Sequence, residues 1–133
     1  MSEIQDAARN GEVQAAKRLW LTHALFAPLQ RDPQLAAALA AMVERYSAWH
    51  WHNADPVRRS AAPALTAVSP RTLVIVGELD LPDFHAIAAQ LAAEIPRATL
   101  HTVAGAGHMS NMEAPAIVNA LLLEHLRGCA GIG

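Results

Sequence analysis

Cysteine is almost missing from this sequence, and so are long hydrophobic runs. The one cysteine, Cys129, has no second thiol in the chain to pair with, which rules out an intrachain disulfide and fits a reducing cytoplasm. No apolar stretch approaches the roughly 20 residues that a membrane-spanning helix requires, so no membrane partner is expected. Met1-Ser2-Glu3 is acidic and no charged-then-apolar leader follows it, which leaves secretion without a signal. An excess of either charge is lacking too. With 10 Lys and Arg against 12 Asp and Glu, the formal net charge is −2. No basic stripe of the kind that nucleic acid demands is present. Internal repeats are also absent. What remains is an Ala- and Leu-rich composition suited to a globular domain of modest size.

The informative stretch runs from Arg71 to Pro115. Thr72-Leu73-Val74-Ile75-Val76 is a short apolar run closed by Gly77, the pattern of a strand buried on both faces. Glu78-Leu79-Asp80 forms a turn. A helix follows, with Asp83 as its cap and Ile87, Leu91 and Ile95 repeating every four residues. Thr99–Val103 reads as a second strand, Ala104-Gly105-Ala106-Gly107-His108-Met109 as a loop, and Pro115–Leu126 as a closing helix. The segment thus reads strand, acid-bearing loop, helix, strand, histidine-bearing loop, helix.

The runs LVIVGELD and GAGHMSNMEAP resemble the last two strands of an α/β-hydrolase, in the branch that contains esterases and carbon–carbon bond hydrolases. The resemblance implies an α/β fold of partial extent: a helical cap remnant followed by a β-α-β-α unit with a small parallel two-stranded sheet. In that family the acid of a Ser–Asp–His triad follows the Gly that closes the strand, here Gly77 and Asp80. The histidine follows a Gly-rich loop, here Gly105, Gly107 and His108, and Glu113-Ala114-Pro115 matches the usual approach to the last helix. The catalytic positions implied are therefore His108 as base and Asp80 as its orienter. Each would lie beyond the C-terminal end of a parallel strand, where α/β sheets build their sites. Glu78 competes with Asp80 for the orienting role, but the family spacing favours Asp80.

Ahead of this unit, Ser2 can cap a helix over Glu3–Arg9 that Asn10-Gly11 stops. A second helix is predicted over Glu12–His23, with Val13, Ala16, Leu19, Trp20 and Ala24 near one face and Pro28 ending it. Asp32-Pro33 opens a third, whose stripe of Leu35, Leu39, Met42, Val43 and Tyr46 continues to about Trp49. These helices are similar to the end of the cap that such hydrolases insert before the acid-bearing strand, with Trp20, Trp49 and Trp51 packing it. Asn53–Pro70 carries Pro56, Pro63 and Pro70 and reads as a linker, with a helical turn near Ala64–Val68. The expected division is residues 1–68 for cap and linker and 69–133 for the β-α-β-α unit. Gly128–Gly133 is expected to be an unordered tail.

A serine hydrolase needs a nucleophile and an oxyanion hole besides the base and its orienter. The serines are Ser2, Ser47, Ser60, Ser69 and Ser110, and none stands in the G-x-S-x-G setting of a nucleophile elbow. Ser110 is only two residues from His108, and Cys129 has no base near it in sequence. His50-Trp51-His52 shares no ligand spacing with a Cys or carboxylate cluster, so no metal is expected, and no cofactor is implied. Three roles stay open: a catalytically incomplete α/β-hydrolase fragment, one subunit of a split hydrolase whose second chain brings the nucleophile, or a non-catalytic binding or structural module. Self-association is expected, as a homodimer or larger oligomer through the Thr72–Val76 edge or through the cap helices, because a two-stranded sheet is too small to stand alone.

Overall fold

A computed structural model describes residues 2–53 and 62–130. The chain divides into two compact units, Met1–Arg59 and Ser60–Gly133. Residues 54–61, within the stretch read as a linker, and 131–133, within the expected tail, lie outside the described residues.

The first unit is helical. Helix α1 spans Ser2–Arg9 and ends where Gly11 takes φ +83°. The Gly11 amide bonds to the Ala8 carbonyl and the Glu12 amide to that of Ala7. This paired closure satisfies carbonyls the helix end would otherwise orphan. Helix α2 is Val13–Leu21, three residues shorter than the predicted Glu12–His23. It stops ahead of Pro28 because other groups take its last carbonyls. The Thr22 hydroxyl donates to Leu19 at 3.0 Å, and the Gln30 amide donates to Leu21. Two short 3-10 turns follow, Ala24–Phe26 and Leu29–Arg31.

Helix α3, Pro33–Arg45, begins as Asp32-Pro33 foretells. The Asp32 carboxylate accepts from the amides of Gln34 and Leu35 at 2.8 and 3.3 Å. It ends short of Trp49, since Tyr46 turns extended and Ala48 adopts a left-handed φ of 61°. A one-turn helix α4, Trp49–His52, follows.

The faces also differ from the periodic reading. Leu19, Met42 and Trp49 are exposed, whereas Lys17 is only 7% exposed and donates from Nζ to the Glu44 carbonyl at the end of α3. A buried ammonium is tolerated there because that carbonyl accepts its proton at the negative end of the helix. The core joins Ile4, Ala8, Ala16, Ala48 and Trp51. Edge-on ring contacts of Trp51 with Tyr46 and Trp20, at 4.9 and 6.1 Å, close it.

The second unit carries the sheet. A 3-10 turn, Ala62–Ala67, leads to β1, Thr72–Gly77. Helix α5, Pro82–Glu94, crosses to β2, Ala98–Val103. The strands pair in parallel, from Thr72 against Ala98 to Gly77 against Val103. This is the mixed α/β arrangement with a small parallel two-stranded sheet that the resemblance implies. Only part of β1 is fully buried, at Val74, Val76 and Gly77. The residue capping α5 is Leu81, not Asp83, which sits inside the first turn behind Pro82. There the positive end of the helix dipole favours an acid without any cap bond.

The buried stripe of α5 is Phe84, Ala88 and Leu91 against Val74 and Val76, and Ile87 faces outward, half-exposed. After β2 comes a turn of helix that the sequence reading lacks, α6 at Ser110–Glu113. Helix α7 spans Pro115–Ala130, so Gly128 and Cys129 belong to it and not to a loose tail. Arg71, just before β1, donates from Nη1 to the Gly128 carbonyl at 2.8 Å. Val118 packs with Val103 and Ala106 beneath α7. No helix among the described residues is long and apolar enough to cross a membrane.

Candidate functional site

Parallel pairing brings the C-terminal ends of β1 and β2 side by side, Gly77 opposite Val103. The loops that leave them are therefore neighbours, and they are stitched together. The Glu78 amide donates to the Val103 carbonyl at 2.9 Å and the Leu79 amide to Ala106 at 2.8 Å. In return the Gly105 amide donates to the Glu78 carboxylate at 2.7 Å. Gly77 permits this closeness. A Cβ built there would lie 2.1 Å from the Gly107 carbonyl oxygen and 2.4 Å from that of Ala106. Gly105 serves differently, holding φ +70° where the loop reverses, a conformation glycine adopts without steric cost.

Onto this frame the chain hangs Asp80 and His108. The Asp80 side chain is 5% exposed. Its Oδ1 accepts the Leu81 amide at 2.8 Å, where α5 begins and the helix dipole favours a carboxylate. His108 Nδ1 stands 3.1 Å from Oδ1 and 3.0 Å from Oδ2. An ionised carboxylate can only accept, so Nδ1 carries the proton and donates it. In the neutral ring this leaves the lone pair on Nε2. The ring is 30% exposed, and one side rests on Phe84 with 4.3 Å between ring centroids. Of the two acids weighed from sequence, Asp80 reaches the imidazole, and Glu78 is occupied with Gly105.

Beside the pair runs a groove of about 170 Å³ between β1 and α5, walled by Val74, Val76, Phe84 and Leu91, with Asp80, His108 and Ser110 at one end. Ser110 lines the groove, yet the His108 ring bonds to Asp80 and not to the Ser110 hydroxyl. A wider concavity of about 380 Å³ opens in the first unit along Gly11–Arg18, but no histidine, serine or cysteine lines it. Ser47 accepts the Trp49 amide at 3.4 Å in the first unit, and Ser60 lies outside the described residues. His50 stacks on Tyr46 and shares a 2.8 Å hydrogen bond with its hydroxyl. Among the described residues no group of three or more His, Cys, Asp or Glu side chains could hold a metal ion.

Two contributors escape a reading by residue type. Phe84 walls the imidazole, and its only sequence signal is its place one helical turn after Asp80. Glu113 holds the loop around His108 and stands in the sequence as one letter of a familiar motif.

A family model described as the alpha/beta hydrolase family matches residues 3–121. Among solved structures, MenH from S. aureus superposes with a TM-score of 0.71 at 18% identity, over 93% of this chain and 48% of its own. The chain thus spans about half the length of that protein. No curated protein matches.

Proposed function

We propose, from the premise that this chain belongs to the alpha/beta hydrolase family, that Asp80 and His108 are the orienting acid and general base of a hydrolytic site whose nucleophile lies outside these 133 residues. The observation behind the reading is the pair itself, a buried carboxylate facing Nδ1 with both oxygens at 3.0–3.1 Å. Held this way, His108 has one tautomer and one orientation. Nε2 can take a proton from an attacking hydroxyl, and the imidazolium that forms lies against Asp80. Returning that proton to the leaving group completes transfer to the nucleophile, and a water deprotonated by the same Nε2 then cleaves the covalent intermediate, the proton going back to the nucleophile's oxygen. The substrate class is an ester, a thioester or an activated carbon–carbon bond, taken from the family's chemistry.

None of the five serines is set between glycines as an elbow requires. Alone, the chain is accordingly proposed to be inactive. A second reading, a hydrolase completed by another chain, is favoured by the 48% span of the solved relative. A fluorophosphonate probe tests the proposal. The purified chain is expected to label no more than a heat-denatured control, and to hydrolyse a p-nitrophenyl ester at the buffer rate. Stoichiometric labelling at Ser110, abolished by His108→Ala, would overturn the external nucleophile.

A further inference from the structure

A third carboxylate acts on His108 without touching its ring. Glu113 Oε2 accepts the Gly107 amide at 2.8 Å, and Oε1 accepts the Met109 amide at 3.1 Å. These are the peptide N–H groups immediately before and after His108. Glu113 reaches both because α6 is a single turn that folds back on its own start. The Met112 and Glu113 amides bond to the Met109 carbonyl at 2.8 and 3.0 Å. With both oxygens engaged the carboxylate is fixed in rotation, and the backbone on either side of His108 is bracketed. Met109 itself is held at φ −95° and ψ 46°, outside the helical region. Glu78 grips the same loop only at Gly105, three residues upstream of the histidine.

We propose that Glu113 is a positioning residue for His108. By clamping the flanking amides it keeps Nδ1 on Asp80 and the ring against Phe84. The inference rests on the reading of Asp80 and His108 as orienter and base. It differs from simple capping of a helix turn, because capping alone would leave the imidazole unchanged when the clamp is lost. Charge-assisted hydrogen bonds of this kind, made to a partly buried acceptor, rank among the stronger ones in proteins.

Long-range proton–nitrogen spectra of His108 in the full chain test it, recorded at about pH 8.5 where an ordinary imidazole is neutral. The unaltered chain is expected to show the Nδ1–H tautomer alone, with contacts to Phe84. In Glu113→Gln, hydrogen exchange at Gly107 and Met109 is expected to quicken about tenfold or more, Gly105 to stay protected, and His108 to show both tautomers. Glu78→Gln is expected to do the reverse, freeing Gly105 while His108 keeps one tautomer. Should Glu113→Gln not fold, Glu113→Asp carries the same readout, since it keeps the charge but is one methylene too short to span both amides.

The proposal is overturned if the clamp variant frees both amides and His108 still shows one tautomer, or if the unaltered chain already shows two. Asp80→Asn separates the two ideas. It is expected to mix the tautomers while Gly107 and Met109 stay protected. An unmoved tautomer there would sink the acid–base pair, whatever Glu113 does.

Discussion

Replacing Gly77 by alanine is a severe test of how the two loops meet. The added methyl carbon would sit 2.1 Å from one carbonyl oxygen and 2.4 Å from another, both of the main chain of the His108 loop. No side chain can swing aside, so about 1 Å of movement must come from the backbone, against the close packing of protein interiors. Overpacking of this kind costs about 1–3 kcal/mol. The Leu79–Ala106 hydrogen bond, 2.8 Å long and part of the same contact, adds about 1 kcal/mol when lost. The sum is about 2–4 kcal/mol, which at an ordinary urea dependence lowers the midpoint by about 1–2 M.

Far-UV circular dichroism is the suitable probe, because Trp20, Trp49 and Trp51 all lie in the first unit. Gly105→Ala is the matched comparison. It has nothing within 4 Å of its added Cβ but needs φ +70°, so it should cost about 1–2 kcal/mol from backbone strain alone. A Gly77→Ala chain no less stable than Gly105→Ala would refute the close-approach argument.

Two further outcomes are expected. Asp32→Ala removes the acceptor for the Gln34 and Leu35 amides and should cost about 1 kcal/mol, read as a drop in melting temperature of a few degrees that Asp32→Asn largely avoids. The proposed self-association through the outer edge of β1 should give a sedimentation mass near twice 14.2 kDa at micromolar concentration, and a well-folded monomer there would remove that proposal.

The strands and the start of α3 are legible because their signals are local. A short β-rich run closed by Gly77 and an Asp32-Pro33 cap leave few alternatives. Helix faces are harder. In α5 the spacing of Ile87, Leu91 and Ile95 fits a stripe, but Phe84, Ala88 and Leu91 are what meet β1. Five of its thirteen residues are alanines as small as they are apolar, so the phase is set by the partner strand. The same applies to Leu19 and Met42, which look inward by period and sit outward in the fold. Lys17 is the converse, a charge whose burial depends on a carbonyl 27 residues away. Asp80 and His108 are legible only through the resemblance. Their spacing of 28 residues along the chain carries no rule of its own, and only parallel pairing makes them neighbours. Glu113 could have been found by asking which acid can return to amides a few residues earlier.

The Arg71–Gly128 bond closes a loop of 57 residues, and the Asp80–His108 contact closes one of 28 nested within it. Nested closures have an order. Once the inner ends have met, closing the outer loop costs less chain entropy than it would from an open coil, while the outer can come apart with the inner still shut. The last turns of α7 are therefore the natural place for this unit to fray, with Arg71 letting go first and the sheet-end loops unaffected. Native-state hydrogen exchange should rank the amides near Gly128 as the earliest to open and those of Val103 and Ala106 among the last. The reverse ranking would mean that the two loops close as one.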